Sequence, residues 1–292
     1  MKFSIITVCY NSISTIEHTI QSVLSQTFTD FEYIVVDGGS KDGTVAVLEK
    51  YKDRIRYISE KDKGIYDAMN KGLKMAEGEI IGMIGSDDFY PSNDVLEAVA
   101  SGFHTYKTDS IYGDKQFVNP DNIDKIVRYW TVGEYKKEYW LKGFMPPHLS
   151  FYIKKSCYEK FGNYRTDFAC SADYELMLRM LYKNNATAHY IPKVLMTMRN
   201  GGTSTASWKH RWVANQEDRK AWRVNGLKPK WYTLWWKPIS KIVQLFTSAP
   251  LSDQHRLRSV TKLESRRKDV NLIAYKLEES PTNRTLSIIK SL

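Results

Sequence analysis

Glu79-Ile80-Ile81-Gly82-Met83-Ile84 runs straight into Gly85-Ser86-Asp87-Asp88, setting an unbroken apolar stretch against two adjacent carboxylates. Six residues without polar alternation are what a strand buried on both faces requires. Upstream, Phe3–Cys9 and Phe31–Val36 have the same character and end at Tyr10-Asn11 and at Asp37-Gly38-Gly39-Ser40. Between these runs, apolar residues at helical spacing predict helices over Ile13–Leu24, Thr44–Tyr51 and Ile65–Ala76, with a short strand at Ile55–Ser59. Pro91 suits the first turn of a further helix reaching Ala100. Strand and helix in alternation predict an α/β fold: a mostly parallel, Rossmann-like central sheet flanked by helices. Residues 110–200 read as mixed. Strands are expected at Ser110–Val118, Lys125–Trp130, Leu149–Ile153 and Ala188–Met198, and a helix over Ser171–Leu181 with Ser171 as its N-cap.

The 292 residues are 42% apolar and 26% charged, which excludes a disordered chain, a collagen and a small disulfide scaffold. Three cysteines without CxxC spacing point to a reducing compartment. The Phe3–Val8 run is too short for a signal peptide. No uncharged run approaches the ~18–20 residues that span a bilayer. A cytoplasmic location is therefore expected. The net charge of +10 is uneven: residues 199–292 hold 19 Lys and Arg against 7 Asp and Glu, and six of the eight tryptophans. Basic residues interleaved with tryptophan fit an anionic membrane surface or a nucleic acid, and also a solvated helical tail with core tryptophans. Of the two partners, nucleic acid is the less favoured. Pro238 opens an expected helix over Ile239–Ala249 whose broad apolar face, beside Trp235 and Trp236, could lie in a membrane interface or pack on protein.

In an open parallel sheet, ligands bind at the carboxyl ends of the strands. Asp37 and the Asp87-Asp88 pair stand at such ends. Adjacent carboxylates repel, and each raises the other's pKa unless a cation or hydrogen bonds intervene. A divalent Mn²⁺ or Mg²⁺ shared with diphosphate oxygens would relieve this; an exposed Asp-Asp turn is the alternative. Cys9-Tyr10-Asn11-Ser12 stands where a GxGxxG would sit, and no GxxxxGK[ST] occurs, which excludes a Rossmann dinucleotide site and a P-loop.

Four blocks together resemble the family 2 glycosyltransferases, which have the GT-A fold: Ser4–Asn11, Val35–Thr44, Gly64–Gly72 and Gly85–Asp88. The likeness is greatest to bacterial enzymes of capsule, colanic-acid-like and O-antigen polysaccharide synthesis, and it covers roughly residues 1–200. It implies a GT-A domain over 1–204, with a nucleotide-binding half of about 1–100 and an acceptor-binding half of about 101–204. Residues 205–292 would form a basic, Trp-rich, mainly helical C-terminal extension. The resemblance assigns Thr7, Tyr10 and Asn11 to the first nucleotide loop, Asp37 to the uracil ring, and Asp67 and Asn70 to the base and ribose. It puts Asp87 near the ribose and Asp88 on the metal. Ser86 replaces the acidic first member of the DXD motif.

Ser171-Ala172-Asp173-Tyr174-Glu175 resembles the family's acceptor-side block, in which the second acidic residue is the catalytic base. Here Ala172 replaces the first, leaving Asp173, with Glu175 as fallback. Asp173 also falls in a first helical turn, where the dipole favours the ionised form. His148, after Pro146-Pro147, is a candidate near the acceptor or diphosphate, and Arg199, opening Asn200-Gly201-Gly202, a candidate diphosphate ligand. The resemblance thus implies an inverting, metal-dependent hexosyltransferase. It would carry a sugar from a UDP-linked donor to a glycan acceptor, with a polyprenyl-diphosphate-linked glycan as one form, at the inner membrane face, with residues 231–292 on the anionic lipid surface and a homo-oligomer open. The rival readings are a sugar nucleotidyltransferase and a non-enzymatic nucleic-acid-binding protein using the basic tail.

Overall fold

A computed structural model describes residues 1–201, 208–230 and 233, all within one compact unit, Met1–Phe246. The tail from residue 234, on which the expected membrane-facing helix falls, lies outside the described residues, as do residues 202–207, Trp231 and Tyr232. Among the described residues no helix is long and apolar enough to cross a membrane.

The elements are β1 (Phe3–Cys9), α1 (Ile16–Leu24), β2 (Phe31–Asp37), α2 (Thr44–Lys50), β3 (Arg56–Ser59), α3 (Ile65–Met75), β4 (Ile80–Gly85) and α4 (Val95–Tyr106). After them come β5 (Ser110–Asn119), β6 (Asn122–Trp130), β7 (Phe151–Lys154), α5 (Lys155–Phe161), α6 (Ala172–Met177), β8 (Ala188–Arg199) and α7 (Trp208–Val224). One sheet carries the order β3-β2-β1-β4-β7-β5-β6, with β8 beside β5. The first four strands are parallel, as the apolar runs require; β7 is antiparallel to β4 and β5, β6 is antiparallel to β5, and β8 returns parallel to β5. The α/β architecture stands, with a mixed second half.

Two apolar layers sandwich the sheet. Ile6, Ile34, Val36, Ile81 and Met83 pack with α3, α6 and Trp140 on one face. Phe3, Ile5, Val35, Ile80 and Ile84 pack with α1 and α4 on the other. Alternate residues of one strand thus enter different cores, which is why these strands show no polar alternation.

Three expectations shift. The helix after Pro91 starts only at Val95, because Gln26, just past the end of α1, holds the intervening turn: its amide donates to the Ser92 carbonyl (2.8 Å) and its oxygen accepts from Leu96 N–H (3.0 Å). The helix expected over Ser171–Leu181 is a short α6 that continues as a π-helical turn, Leu178–Lys183. Around Pro192 the β5–β8 register slips between Gly113 and Asp114, so the residue without an N–H falls outside the ladder. Residue 204 is also not where the packed domain ends. In α7, Ala221 and Trp222 are buried, and the Trp222 indole donates to the Tyr174 hydroxyl at 2.9 Å.

Candidate active site

The carboxyl ends of parallel β1, β2 and β4 bring Tyr10-Asn11, Asp37–Ser40 and Asp87-Asp88 to one edge of the sheet. Asn11 adopts a left-handed backbone (φ 50°). Its side-chain oxygen accepts from Lys41 N–H at 3.0 Å, and its own N–H donates to Ser40 Oγ at 2.7 Å. The first and second strand-end loops are thereby latched together. Tyr10 stands out exposed.

Thr7 is fully buried, and its hydroxyl hydrogen-bonds that of Tyr33 at 2.9 Å. Asp37 is also fully buried: the Gly39 and Ser40 N–H groups and the Ser40 hydroxyl of its own loop, the Ser59 hydroxyl at the end of β3 and the Cys9 thiol at the end of β1 donate to it. Burial pushes its pKa up, but the bonds from Ser40, Ser59 and Gly39 outweigh this and hold it below the usual carboxylate range. Both side chains, expected to face the nucleotide, have protein partners in this structure. Asp62 stands in the neighbouring space. Its Oδ1 accepts from Gly64 N–H at 2.9 Å, and a Cβ at Gly38 would lie 2.4 Å from its Oδ2 and 3.4 Å from the Tyr10 ring. Only a glycine at 38 lets this carboxylate approach Tyr10. The Asp-x-Gly turn at 62–64 is the sequence signal that could have marked it.

Asp67 accepts from Lys63 N–H (3.0 Å) at the start of α3 and lies 3.8 Å from the Lys71 ammonium. Asn70 turns its amide to the backbone of Tyr164, donating to its carbonyl (2.9 Å) and accepting from its N–H (3.0 Å). It clamps α3 to the Gly162–Tyr164 loop rather than presenting its amide to a ribose.

The structure separates the two carboxylates of the pair. Asp87 is half-buried, whereas Asp88 is 2% exposed. Burial and then the Asp87 charge push the Asp88 carboxyl up to about 8. Its Oδ1 is enclosed and without a hydrogen-bond partner. A Cβ at Gly85 would meet Asp88 Oδ2 at 2.6 Å and Asp87 Oδ1 at 3.1 Å, so both carboxylates converge over a hollow that only glycine leaves open. Among the described residues no group of three or more His, Cys, Asp or Glu could hold a metal alone. Two converging carboxylates with an orphaned oxygen fit a hard divalent cation that takes its other ligands from phosphate oxygens. Of the two, Asp87 is the accessible member.

Arg199, at the end of β8, donates to the Asp87 carbonyl and to His18 Nδ1 (3.1 Å) and lies over the Phe89 ring at 5.3 Å. It braces the Ser86–Asp88 turn from 112 residues away. His18 must be neutral at Nδ1 to accept, and burial followed by the Arg199 charge lowers its pKa accordingly.

On the other side, Asp173 lies in the first turn of α6, half-buried, with the Tyr66 hydroxyl 3.4 Å from its Oδ1. Tyr66 stacks on Tyr164 (5.9 Å), whose hydroxyl shares a hydrogen with His148 Nε2 at 2.6 Å. Burial lowers the His148 pKa against the opposing pull of Asp173, with Lys115 adding to the lowering, so the imidazole is neutral at pH 7. The Lys115 charge acts on both His148 and Asp88, while its ammonium lies 3.4 Å from Met198 Sδ.

Glu175 is excluded as an alternative base. It is 1% exposed and ion-paired to Arg179 at 2.9 Å, and its Oε1 accepts from Asn225 at 3.0 Å. Ser171 does not cap α6 either; its hydroxyl turns to the Ala214 carbonyl (3.4 Å). The carboxylate of Glu217, on α7, accepts instead from three consecutive N–H groups: Ala169 (2.6 Å), Cys170 (2.9 Å) and Ser171 (2.9 Å). No local pattern announces this partner, since it arrives from another helix.

The sequence profile described as glycosyl transferase family 2 matches residues 4–161, just over half of the chain. An uncharacterised glycosyltransferase of Mycobacterium tuberculosis is 31% identical over 187 residues, covering 60% of this chain and 67% of the relative. In solved structures the fold is similar to that of S. aureus TarS 1–349 in complex with UDP-GlcNAc (TM-score 0.61, 20% identity, 77% of this chain and 65% of that one). It is also similar to the mannosyltransferase PcManGT from Pyrobaculum calidifontis in complex with GDP-Man and Mn²⁺ (TM-score 0.59, 16% identity, 94% and 84%). With sequence profile, relative and fold in agreement, the chain belongs to glycosyl transferase family 2.

Proposed function

We propose that the protein is an inverting glycosyltransferase that moves a sugar from a UDP-linked donor to a hydroxyl of a glycan acceptor. The observation that carries this is the pairing, within a family 2 chain, of an accessible Asp87 over the Gly85 hollow with a half-buried Asp173. Tyr10 and Asp62 are the groups beside Gly38 that face the nucleobase in this reading. Asp173, in the first turn of α6, takes the proton from the acceptor hydroxyl. The acceptor oxygen attacks the anomeric carbon as the bond to the diphosphate breaks on the opposite face, so one displacement inverts the centre. Tyr66 and the Tyr164–His148 pair orient the base and its acceptor. Asp87, with the orphaned Asp88 Oδ1 behind it, would hold Mn²⁺ or Mg²⁺, which when bound neutralises charge on the leaving diphosphate.

We place the acceptor in bacterial surface polysaccharide synthesis, with a polyprenyl-diphosphate-linked glycan as the leading form. A peripheral site on the inner membrane face through residues 231–292 is the companion reading, and co-sedimentation with anionic liposomes tests it. The donor is tested by incubating the protein with Mn²⁺ and a panel of UDP-, GDP- and dTDP-sugars while following thermal unfolding and donor hydrolysis. A UDP-sugar at 100 times its Kd should add about 2.7 kcal/mol of stability. If no nucleotide sugar protects at millimolar concentration, the reading fails.

A further inference from the structure

Strands β5 and β6 pair antiparallel with Lys115 opposite Trp130 and Phe117 opposite Arg128, which sets two aromatic rings and two cations in a checkerboard on one face. The Lys115 ammonium lies 4.4 Å from the Trp130 ring and 5.1 Å from Phe117; the Arg128 guanidinium lies 4.6 Å from Phe117 and 5.3 Å from Trp130. All four side chains are half-buried. Arg128 Nε is shielded from water and has no hydrogen-bond partner, and no described carboxylate forms an ion pair with Arg128. Burial draws its pKa below the usual guanidinium value. A cation stacked for packing alone keeps its N–H groups in water or on a carbonyl. This one keeps its Nε–H dry and unspent, beside rings whose faces can cover the C–H side of a pyranose.

The strand touches the turn that carries His148: the Gly113 carbonyl, two residues before Lys115, accepts from Ser150 Oγ at 2.8 Å. Lys115 acts on His148, and Asp114, next to it on β5, accepts from Val132 N–H (2.8 Å), at the start of the segment that leads to His148.

We infer that Lys115, Phe117, Arg128 and Trp130 form an acceptor subsite for an anionic glycan, taking a pyranose on the aromatic faces and its phosphate or carboxylate on Arg128 and Lys115. This rests on the glycosyltransferase reading and adds the acceptor's chemical class to it. The anion has two sources, a lipid-linked diphosphate or a uronate within the glycan.

Isothermal titration of the full chain with three probes separates them: farnesyl-diphosphate-linked GlcNAc, a glucuronate-containing tetrasaccharide, and a neutral glucan tetrasaccharide. An anionic probe should bind at least about tenfold tighter than the neutral one, equivalent to about 1.4 kcal/mol. Arg128→Gln should remove that preference and Arg128→Lys part of it, while Trp130→Ala should weaken all glycan binding. Circular dichroism and protection by UDP, both unchanged, would show that each variant is folded. Preference for the farnesyl or the glucuronate probe identifies the source. Equal binding of all three, binding of none, or full affinity in Arg128→Gln overturns the inference. Failure of the wild type to bind UDP overturns the glycosyltransferase reading instead, whatever the hairpin does.

Discussion

Glu217→Ala removes the carboxylate that gathers three consecutive N–H groups ahead of the helix bearing Asp173. Charge-assisted hydrogen bonds are worth roughly 1.5–3 kcal/mol each when buried. Glu217 is only half-buried, so water would replace part of the loss. The closer analogue is removal of an N-cap, which costs about 1–2 kcal/mol. We expect about 2 kcal/mol, near the upper end because three donors lose their acceptor at once. At roughly 2–4 °C per kcal/mol for a domain of this size, the unfolding midpoint should fall by about 4–8 °C. Burial raises the Glu217 pKa, but its backbone hydrogen bonds, those of Ala169 and Cys170 first, outweigh this and hold it below the usual range. Its stabilisation is therefore present above the unfolded-state pKa and fades as pH falls through the lower folded value. The difference between wild type and variant should shrink below about pH 4. Freed of its clamp, the Cys170–Asp173 turn should lose precision, and transfer should slow by about tenfold, equivalent to 1.4 kcal/mol of barrier. UDP-sugar affinity should stay put, because the donor loops belong to β1, β2 and β4. Differential scanning calorimetry, donor titration and donor-turnover rates read the three quantities separately. Unchanged unfolding temperature together with unchanged turnover would refute the reasoning, since the three bonds would then contribute nothing measurable.

Asp173→Asn should leave donor protection intact and cut transfer by about 10²-fold or more, as loss of a general base does; wild-type transfer would place the base elsewhere. Asp87→Ala should abolish the Mn²⁺ dependence of UDP-sugar binding, and a retained dependence, measured by titration with and without chelator, would return the metal to Asp88 alone. Asp88 carries a raised carboxyl, about 8, so the metal-free protein should lose stability as pH climbs from about 4 to 8, and Asp88→Asn should flatten that slope in thermal melts at several pH values. Glu175→Gln should lower the unfolding temperature by breaking the Arg179 pair, yet leave a folded enzyme whose pH–rate profile keeps the wild-type shape.

Strand and helix identity was legible because it rests on local period. Phe3–Cys9 and the apolar run ending at Gly85 fill two cores at once, so their neighbours in sequence already encode their burial. The Asp37-Gly38-Gly39-Ser40 and Ser86-Asp87-Asp88 turns were likewise visible, since the strands that place them are parallel and end on one side. The use each carboxylate is put to was not legible. Asp37 is consumed by Ser40 and Ser59, Asn70 by the backbone of Tyr164, 94 residues on, and Glu175 by Arg179 and Asn225. Glu217 reaches back 46 residues to Ser171, and the Arg199 brace comes from the far end of the fold. Hydrogen-bond partners and desolvation decide whether a carboxylate is structural or reactive, and both depend on which distant elements meet. The chain therefore declared by itself which strand ends would meet, and the tertiary structure decided that Asp88 and Glu175 are buried while Asp87 and Asp173 stay partly open.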